Sequence, residues 1–131
     1  MNMLKKSVAL LSSVLVAVTA FAGEFPDISI SEVKALVGTS KATIIDVNGT
    51  DSYNSGHVPG ALNFDVVEAN LAKVLPENKD ALIIAYCGNP RCSAYQAAAK
   101  AAEKLGYKNV KHMSAGIAGW KKAGEKTEAV K

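Results

Sequence analysis

The 131 residues of this chain are enough for one domain and too few for two. With 15 Lys and Arg against 12 Asp and Glu, the formal net charge is only +3. No clustered basic face of the kind that binds nucleic acid is indicated, so nucleic acid is not an expected partner.

The first 22 residues have the features of a secretory signal peptide. Lys5 and Lys6 form a positive n-region, Val8 to Thr19 is largely apolar, and Ala20-Phe21-Ala22 is an A-x-A cleavage signal. The apolar stretch is shorter than the ~20 residues of a spanning helix, although an uncleaved anchor is the alternative. We therefore expect an exported protein, periplasmic or secreted, that does not associate with a membrane after cleavage. The mature domain would be 23–131, and its net charge would fall from +3 to +1 because two lysines are lost.

Predicted strands and helices alternate along the mature chain. In chain order we expect a helix Glu32 to Val37 capped by Ser31, a strand Ala42 to Val47, a short helix Asp51 to Ser55, a strand Leu62 to Phe64, an amphipathic helical stretch Val66 to Val74, a strand Ala81 to Tyr86, a helix Ala94 to Leu105, a strand Asn109 to Met113 and a helix Ile117 to Lys122. The polar residues from about 123 are predicted to fray. This pattern predicts a single α/β domain with a mainly parallel sheet flanked by helices on both faces.

The apolar run Ala81 to Tyr86 is typical of a strand buried on both faces, and it leads directly to Cys87. A short turn follows, and Ser93 and Gln96 match the S-x-x-Q capping box that begins a helix. Such strand-to-helix turns form the ligand crevice of open α/β sheets, and helix N-termini lower the pKa of a nearby thiol. Cys87 is therefore the candidate nucleophile. The alternative is an inert buried thiol.

Three motifs occur in a fixed order along the chain. They are Asp46-Val47 followed by Ser52-Tyr53-x-x-Gly56-His57-Val58-Pro59-Gly60-Ala61, then Tyr86-Cys87 before a tight loop and an Ala-rich helix, then Ala115-Gly116-Ile117-x-x-Trp120. Together, over roughly Ile28 to Lys122, they resemble the rhodanese-like domains. The resemblance implies a single-domain, exported sulfurtransferase of the thiosulfate type. It implies that Cys87 takes a sulfane sulfur from a donor, forms a persulfide and passes the sulfur to a thiophilic acceptor without a cofactor.

Two positions depart from the family pattern. Asn48 stands where the family commonly has Arg, and Cys92 stands where the loop commonly ends in Arg or a small polar residue. Phosphatase relatives of the family have an Arg six positions after the nucleophile, where this chain has Ser93. The loop length therefore favours sulfur over phosphate as the group bound, by analogy with the family.

The expected substrate-binding residues are those of the loop after the nucleophile, namely Gly88, Asn89, Pro90, Arg91, Cys92 and Ser93. If the loop amides surround the sulfur, they form an anion-binding nest. Arg91 could bind the sulfonate of thiosulfate through its guanidinium group, and an exposed loop charge without a ligand is the alternative.

Cys92 has three interpretations. It is a small residue without chemistry at a helix start, or a resolving thiol that attacks persulfidated or oxidised Cys87, or half of a metal-binding pair. Two thiols do not complete the usual four-ligand set, so we predict no metal. A bridge to Cys87 would close only a short loop, which argues against a purely structural disulfide.

Asp46 ends its predicted strand at the same edge of the sheet as Cys87. It could orient the loop, but a carboxylate that caps the turn at Asn48 and Gly49 is the favoured interpretation. His57 and His112 are expected to be structural, and Trp120 is expected to pack in the core.

Two other functions remain open. One is a thiol–disulfide redox protein or sensor that uses Cys87 and Cys92, although their CxxxxC spacing differs from the CxxC of thioredoxin-like proteins. The other is a non-catalytic domain that binds a partner. The leading hypothesis, an enzyme, requires a small anionic sulfur donor and a thiophilic acceptor, which could be a protein thiol. The sequence does not identify these molecules or the oligomeric state.

Overall fold

The structure is a computed structural model that describes residues 25–131, so the predicted signal peptide lies outside the described residues. The elements in chain order are α1 (Ile30–Leu36), β1 (Ala42–Asp46), α2 (Thr50–Ser55), β2 (Leu62–Asn63), α3 (Phe64–Val67), a 3-10 turn (Glu68–Asn70), α4 (Leu71–Val74), β3 (Leu82–Tyr86), α5 (Tyr95–Lys104), β4 (Asn109–His112) and α6 (Gly116–Lys122). Within 25–131, no helix is long and apolar enough to span a bilayer.

The four strands form one parallel sheet in the order β2-β1-β3-β4. The two central strands pair from Ala42 opposite Leu82 to Asp46 opposite Tyr86. From β1 the chain moves to one edge of the sheet, and from β3 it moves to the other. The direction of winding therefore reverses between β1 and β3, and their carboxyl ends border the crevice in which α/β proteins bind ligands.

Successive residues of β3 pack on opposite faces of the sheet. Ile83 and Ala85 belong to the cluster that contains the buried alanines of α5, and Ile84 and Tyr86 belong to the cluster that contains residues of α1 and α6. Both faces of the strand are therefore covered, as its continuous apolar sequence predicts. The predicted fold class, an α/β domain with a parallel sheet between helices, is confirmed.

Two helix starts differ from the prediction. Helix α1 is capped by Ser29, whose hydroxyl accepts a hydrogen bond from the Glu32 N–H in a capping box, and not by Ser31. The predicted capping box at Ser93 is wrong. The backbone is already helical at Ala94, the N-cap of α5 has no side-chain hydrogen bond, and the carbonyl of Ser93 accepts from the Gln96 N–H.

The predicted amphipathic stretch Val66 to Val74 is divided into α3, the 3-10 turn and α4. Phe64 does not end the second strand but begins α3, since the side chain of Asn63 accepts a hydrogen bond from the Asp65 N–H and caps the helix. Phe64 itself is buried in the core. The division places Phe64 and Leu71 in one apolar cluster.

The C-terminal segment was predicted to fray, but it is hydrogen-bonded to the rest of the domain. Glu128 pairs with His57 through two backbone hydrogen bonds of 2.9 Å, and the Val130 N–H donates to the Asn54 carbonyl. The Glu128 carboxylate also accepts a hydrogen bond from the Gly60 N–H. The tail therefore satisfies backbone groups of a turn some 70 positions earlier in the chain, and polarity alone does not reveal such a long-range partner.

Deletion of residues 127–131 should lower the free energy of unfolding by about 1–3 kcal/mol, because these four hydrogen bonds are lost while some chain entropy is regained. The deletion leaves Lys126, whose carbonyl accepts from the Trp120 indole. Urea denaturation measures the loss. Deletion of Lys131 alone removes none of these bonds and is the control. Equal stability of the two truncated proteins would contradict the assigned role of the tail.

Candidate functional site

Cys87 directly follows β3 at the reversal point of the sheet. The Val47 N–H donates to the Tyr86 carbonyl, which extends the pairing of β1 and β3 to the edge of the crevice. Cys87 continues the alternation of β3 and packs in the cluster that contains Tyr95, the first residue of α5. The predicted nucleophile therefore lies between the end of the central strand and the start of a ten-residue helix.

The structure joins Cys87 and Cys92 in a disulfide with a Cα–Cα distance of 6.2 Å. That distance lies within the ordinary range for disulfides, so the loop accommodates the bond in its folded conformation. Cys87 is 1% exposed, whereas Cys92 is only partly buried against the same apolar cluster. Among residues 25–131, no group of three His, Cys, Asp or Glu side chains could hold a metal ion.

Asn89 organises the turn between the two cysteines. Its side-chain carbonyl accepts a 2.8 Å hydrogen bond from the Arg91 N–H, and its backbone carbonyl accepts from the Cys92 N–H. This is an Asx turn, a local structure that Asn favours. The condition for an anion-binding nest is therefore not met by the Arg91 and Cys92 amides in the disulfide-bonded loop, because both donate to Asn89.

The first turn of α6 holds the other end of the loop. The Ile117 N–H donates to the Cys87 carbonyl and the Ala118 N–H to the Gly88 carbonyl, both at 2.9 Å. This approach requires glycine at position 116, where φ is +67° and a Cβ atom would lie 2.5 Å from the Gly88 carbonyl carbon. The Ala115-Gly116-Ile117 motif therefore fixes the backbone of Cys87, a role that was not predicted from the sequence.

Asp46 has two hydrogen-bond partners. Its Oδ1 accepts from the Asn48 N–H at 2.8 Å, so the favoured interpretation of a turn-capping carboxylate is confirmed. Its Oδ2 accepts from the Tyr86 hydroxyl at 2.6 Å, and that hydroxyl accepts from the Val58 N–H. Burial, together with the Asp46 charge, raises the pKa of Tyr86, so the hydroxyl stays protonated and donates. Asp46 thus holds the residue before the nucleophile.

The sequence analysis missed the role of Tyr86. The signal available was a single hydroxyl at the end of an otherwise aliphatic buried strand, since a buried Tyr hydroxyl normally has a partner. Asn48, one of the two departures from the family pattern, lies beside the loop, because a Cβ atom at Gly88 would be 3.6 Å from its Oδ1. Its Nδ2 is buried and has no hydrogen-bond partner among the described residues.

The remaining predicted loop residues form the outer rim of the site. Asn89, Pro90, Arg91 and Ser93 are exposed, and within 25–131 the Arg91 guanidinium forms no ion pair. Arg91 therefore presents an exposed cation in the loop between the two cysteines.

The residues that were expected to be structural are buried. His57 contacts the Tyr53 carbonyl through Nδ1 at 2.7 Å and stacks on the Tyr53 ring. His112 is buried and stacks on Tyr95. Trp120 packs in the core on the α6 side of the sheet. These three predictions are confirmed.

The sequence model of the rhodanese-like domain matches residues 29–123. This chain belongs to the rhodanese-like domain family. It is 32% identical to the thiosulfate sulfurtransferase GlpE of Pseudoalteromonas translucida, over 79% of this chain and 97% of that protein. It is also 30% identical to the uncharacterized protein YibN of Escherichia coli, over 95% of this chain and 86% of YibN.

Some relatives of this rhodanese-like domain are much longer than this chain. The HTH-type transcriptional regulator Rv0324 of Mycobacterium tuberculosis is 35% identical over 64% of the chain, but the chain spans only 36% of that protein. Among solved structures, the Alr3790 protein from Anabaena superposes with a TM-score of 0.65 at 25% identity, over 79% of this chain and 92% of that one. The chain therefore spans most of some relatives and only about a third of Rv0324.

In this rhodanese-like domain, replacement of Gly116 by alanine should lower the free energy of unfolding by roughly 3 kcal/mol or more. The new Cβ atom would overlap the Gly88 backbone and displace the cysteine loop. Gly38→Ala is the matched control. Its φ of +80° imposes a similar backbone strain, about 1–2 kcal/mol, but no atom lies within 4 Å of its Cβ position. Chemical denaturation compares the two variants. Equal losses would show that α6 does not hold the loop by close approach.

Proposed function

We propose that this protein is a sulfurtransferase that moves a sulfane sulfur from thiosulfate, or a similar anionic donor, to a thiophilic acceptor through a persulfide on Cys87. The observation that carries this proposal is the position of Cys87, at the end of the central strand where the winding of the sheet reverses. The relationship to the thiosulfate sulfurtransferase GlpE supports the same chemistry.

The first half-reaction needs Cys87 as a thiolate. The thiolate attacks the outer sulfur of thiosulfate, the bond between the two donor sulfurs breaks, and sulfite leaves with the bonding electron pair. Cys87 then carries the transferred sulfur as a persulfide. The positive end of the α5 dipole would favour the thiolate, since Cys87 shares a buried cluster with Tyr95, the first residue of this helix.

The second half-reaction returns Cys87 to its thiolate. An acceptor such as cyanide or a protein thiolate attacks the outer sulfur of the persulfide, and the Cys87 sulfur leaves with the electron pair of the broken bond. Because donor and acceptor react in turn with the same atom, the reaction follows a ping-pong scheme and uses no cofactor. The disulfide between Cys87 and Cys92 must be reduced before the first half-reaction, because its sulfur is not a nucleophile.

Reduced Cys92→Ser protein incubated with thiosulfate should gain about 32 Da, the mass of one sulfur atom, whereas Cys87→Ser protein should gain nothing. Thiocyanate release from thiosulfate and cyanide should likewise fall by roughly a thousandfold or more in Cys87→Ser, because its hydroxyl cannot form the persulfide. The two variants are matched, since each replaces one thiol of the same loop by a hydroxyl. Intact-mass spectrometry and a colorimetric thiocyanate assay provide the readouts. Thiocyanate release that survives in Cys87→Ser would refute the proposed function.

Arg91 is the residue best placed to bind the donor. Its guanidinium is exposed at the rim of the loop and is not neutralised by an ion pair within 25–131. A sulfonate group accepts two parallel hydrogen bonds from a guanidinium, as a carboxylate or phosphate does.

Arg91→Gln should raise the KM for thiosulfate about tenfold and change kcat much less, because the lost charge binds the part of the donor that does not react. Lys104→Gln is the control, since it makes the same charge change at the last residue of α5. Steady-state kinetics with the reduced protein and saturating cyanide gives both constants. An unchanged KM in Arg91→Gln would leave Arg91 without a role in donor binding.

The disulfide favours a second candidate, a thiol–disulfide redox protein that uses the same two cysteines. The two candidates differ in their product. A redox protein of this kind cycles between dithiol and disulfide and never carries an additional sulfur, so the mass of the Cys92→Ser protein after thiosulfate treatment separates them.

A further inference from the structure

The backbone around the two cysteines is held unequally. Cys87 is fixed by β3 on one side and by the hydrogen bonds from α6 to the carbonyls of Cys87 and Gly88. Cys92 lies in the turn, where its N–H donates to the carbonyl of Asn89, and its partly buried side chain packs against the cluster that contains Cys87. The backbone of Cys87 is therefore bonded to two other elements of the fold, whereas the backbone N–H of Cys92 is bonded within the turn.

The folded loop brings the two sulfurs into bonding contact. The Cα–Cα distance of 6.2 Å needs no rearrangement of the sheet or of α5, because all four intervening residues belong to the turn. A thiol at Cys92 is thus an intramolecular neighbour of any group formed on Cys87. Such a neighbour reacts far faster than a thiol from solution, which must first reach a sulfur that is 1% exposed.

We infer that Cys92 discharges the Cys87 persulfide and releases hydrosulfide. The inference rests on the proposed sulfurtransferase function and adds a second reaction to it. The Cys92 thiolate attacks the inner sulfur, Sγ of Cys87, and forms the disulfide. The bond between that sulfur and the outer sulfur breaks, and the outer sulfur leaves with the electron pair as hydrosulfide. The outer sulfur is reduced to sulfide and the Cys92 sulfur is oxidised from thiolate to disulfide, while the Cys87 sulfur keeps the oxidation level that it had in the persulfide.

The cycle closes with a dithiol reductant, either a small dithiol or a protein that carries a thiol pair. One thiolate of the reductant attacks the disulfide at Cys92, the sulfur of the partly buried residue, and Cys87 leaves as the thiolate near the start of α5. The second thiol of the reductant then displaces Cys92. Thiosulfate and the dithiol are thereby converted to sulfite, hydrosulfide and the oxidised reductant, so the loop couples sulfur transfer to thiol oxidation.

A single-turnover experiment without any added thiol tests this reaction. Wild-type protein is reduced, freed of reductant by desalting without oxygen, and mixed with thiosulfate under a stream of argon that carries hydrogen sulfide to a trap. Cys92→Ser, with Cys92→Ala as a second variant, lacks the resolving thiol, and Cys87→Ser lacks the nucleophile. Intact mass and trapped sulfide are measured for each protein, and circular dichroism confirms that each is folded.

We expect wild-type protein to release about one equivalent of sulfide and to lose about 2 Da relative to its reduced form, as the disulfide forms. The Cys92 variants should keep the additional mass of about 32 Da and release sulfide at background level. Wild-type protein that stays persulfidated, or that forms the disulfide without sulfide, would overturn the inference and leave the sulfurtransferase proposal standing. Cys92 variants that never gain sulfur would overturn both proposals.

Discussion

Two hydrogen bonds from the first turn of α6 determine where Cys87 lies. They hold the carbonyls of Cys87 and Gly88, and they exist because Gly116 has no side chain to keep the two backbones apart. Free N–H groups at the start of a helix ordinarily bind a ligand or a capping side chain. Here they bind the loop itself, so α6 contributes to the site without lining it. The strand brings Cys87 to the crevice, and α6 prevents the chain from turning away there.

A second support lies on the same side of the sheet as α6 and acts through Tyr86, the residue before Cys87. The Tyr86 hydroxyl connects the Asp46 carboxylate to the Val58 N–H, and all three groups are buried. A buried carboxylate without partners would be costly, and this one has a backbone N–H and a hydroxyl to satisfy it. The network joins β1, the end of β3 and the turn after α2. Tyr86, the residue before Cys87, therefore connects three segments that are distant in sequence.

Most of the fold could be predicted because its signals are local. Continuous apolar runs indicated β1 and β3, and the glycine after Ser55 correctly marked the end of α2. Cys87 is the candidate nucleophile from sequence because a thiol after a buried strand and before a helix has few structural explanations, and the structure shows both the strand and the helix. The wrong predictions concern the tail, whose structure depends on a long-range contact, and the start of α5. The tail pairs with His57, which is far away in sequence, and α5 begins with backbone turns where Ser93 and Gln96 suggested a side-chain cap.

The alternation of side chains along β3 has a consequence for how this site can vary. Tyr86 and Cys87 are consecutive, and the pleat sends the phenol to the α6 side and the sulfur to the α5 side. Inserting or deleting one residue within β3 would exchange these destinations and place the thiol among the side chains that surround Trp120. Inserting or deleting two residues would leave each side chain on its original face of the sheet. The face of the sheet on which the Cys87 sulfur lies thus depends on whether the number of residues in β3 is odd or even. Composition does not reveal this property, and substitutions alone do not change it.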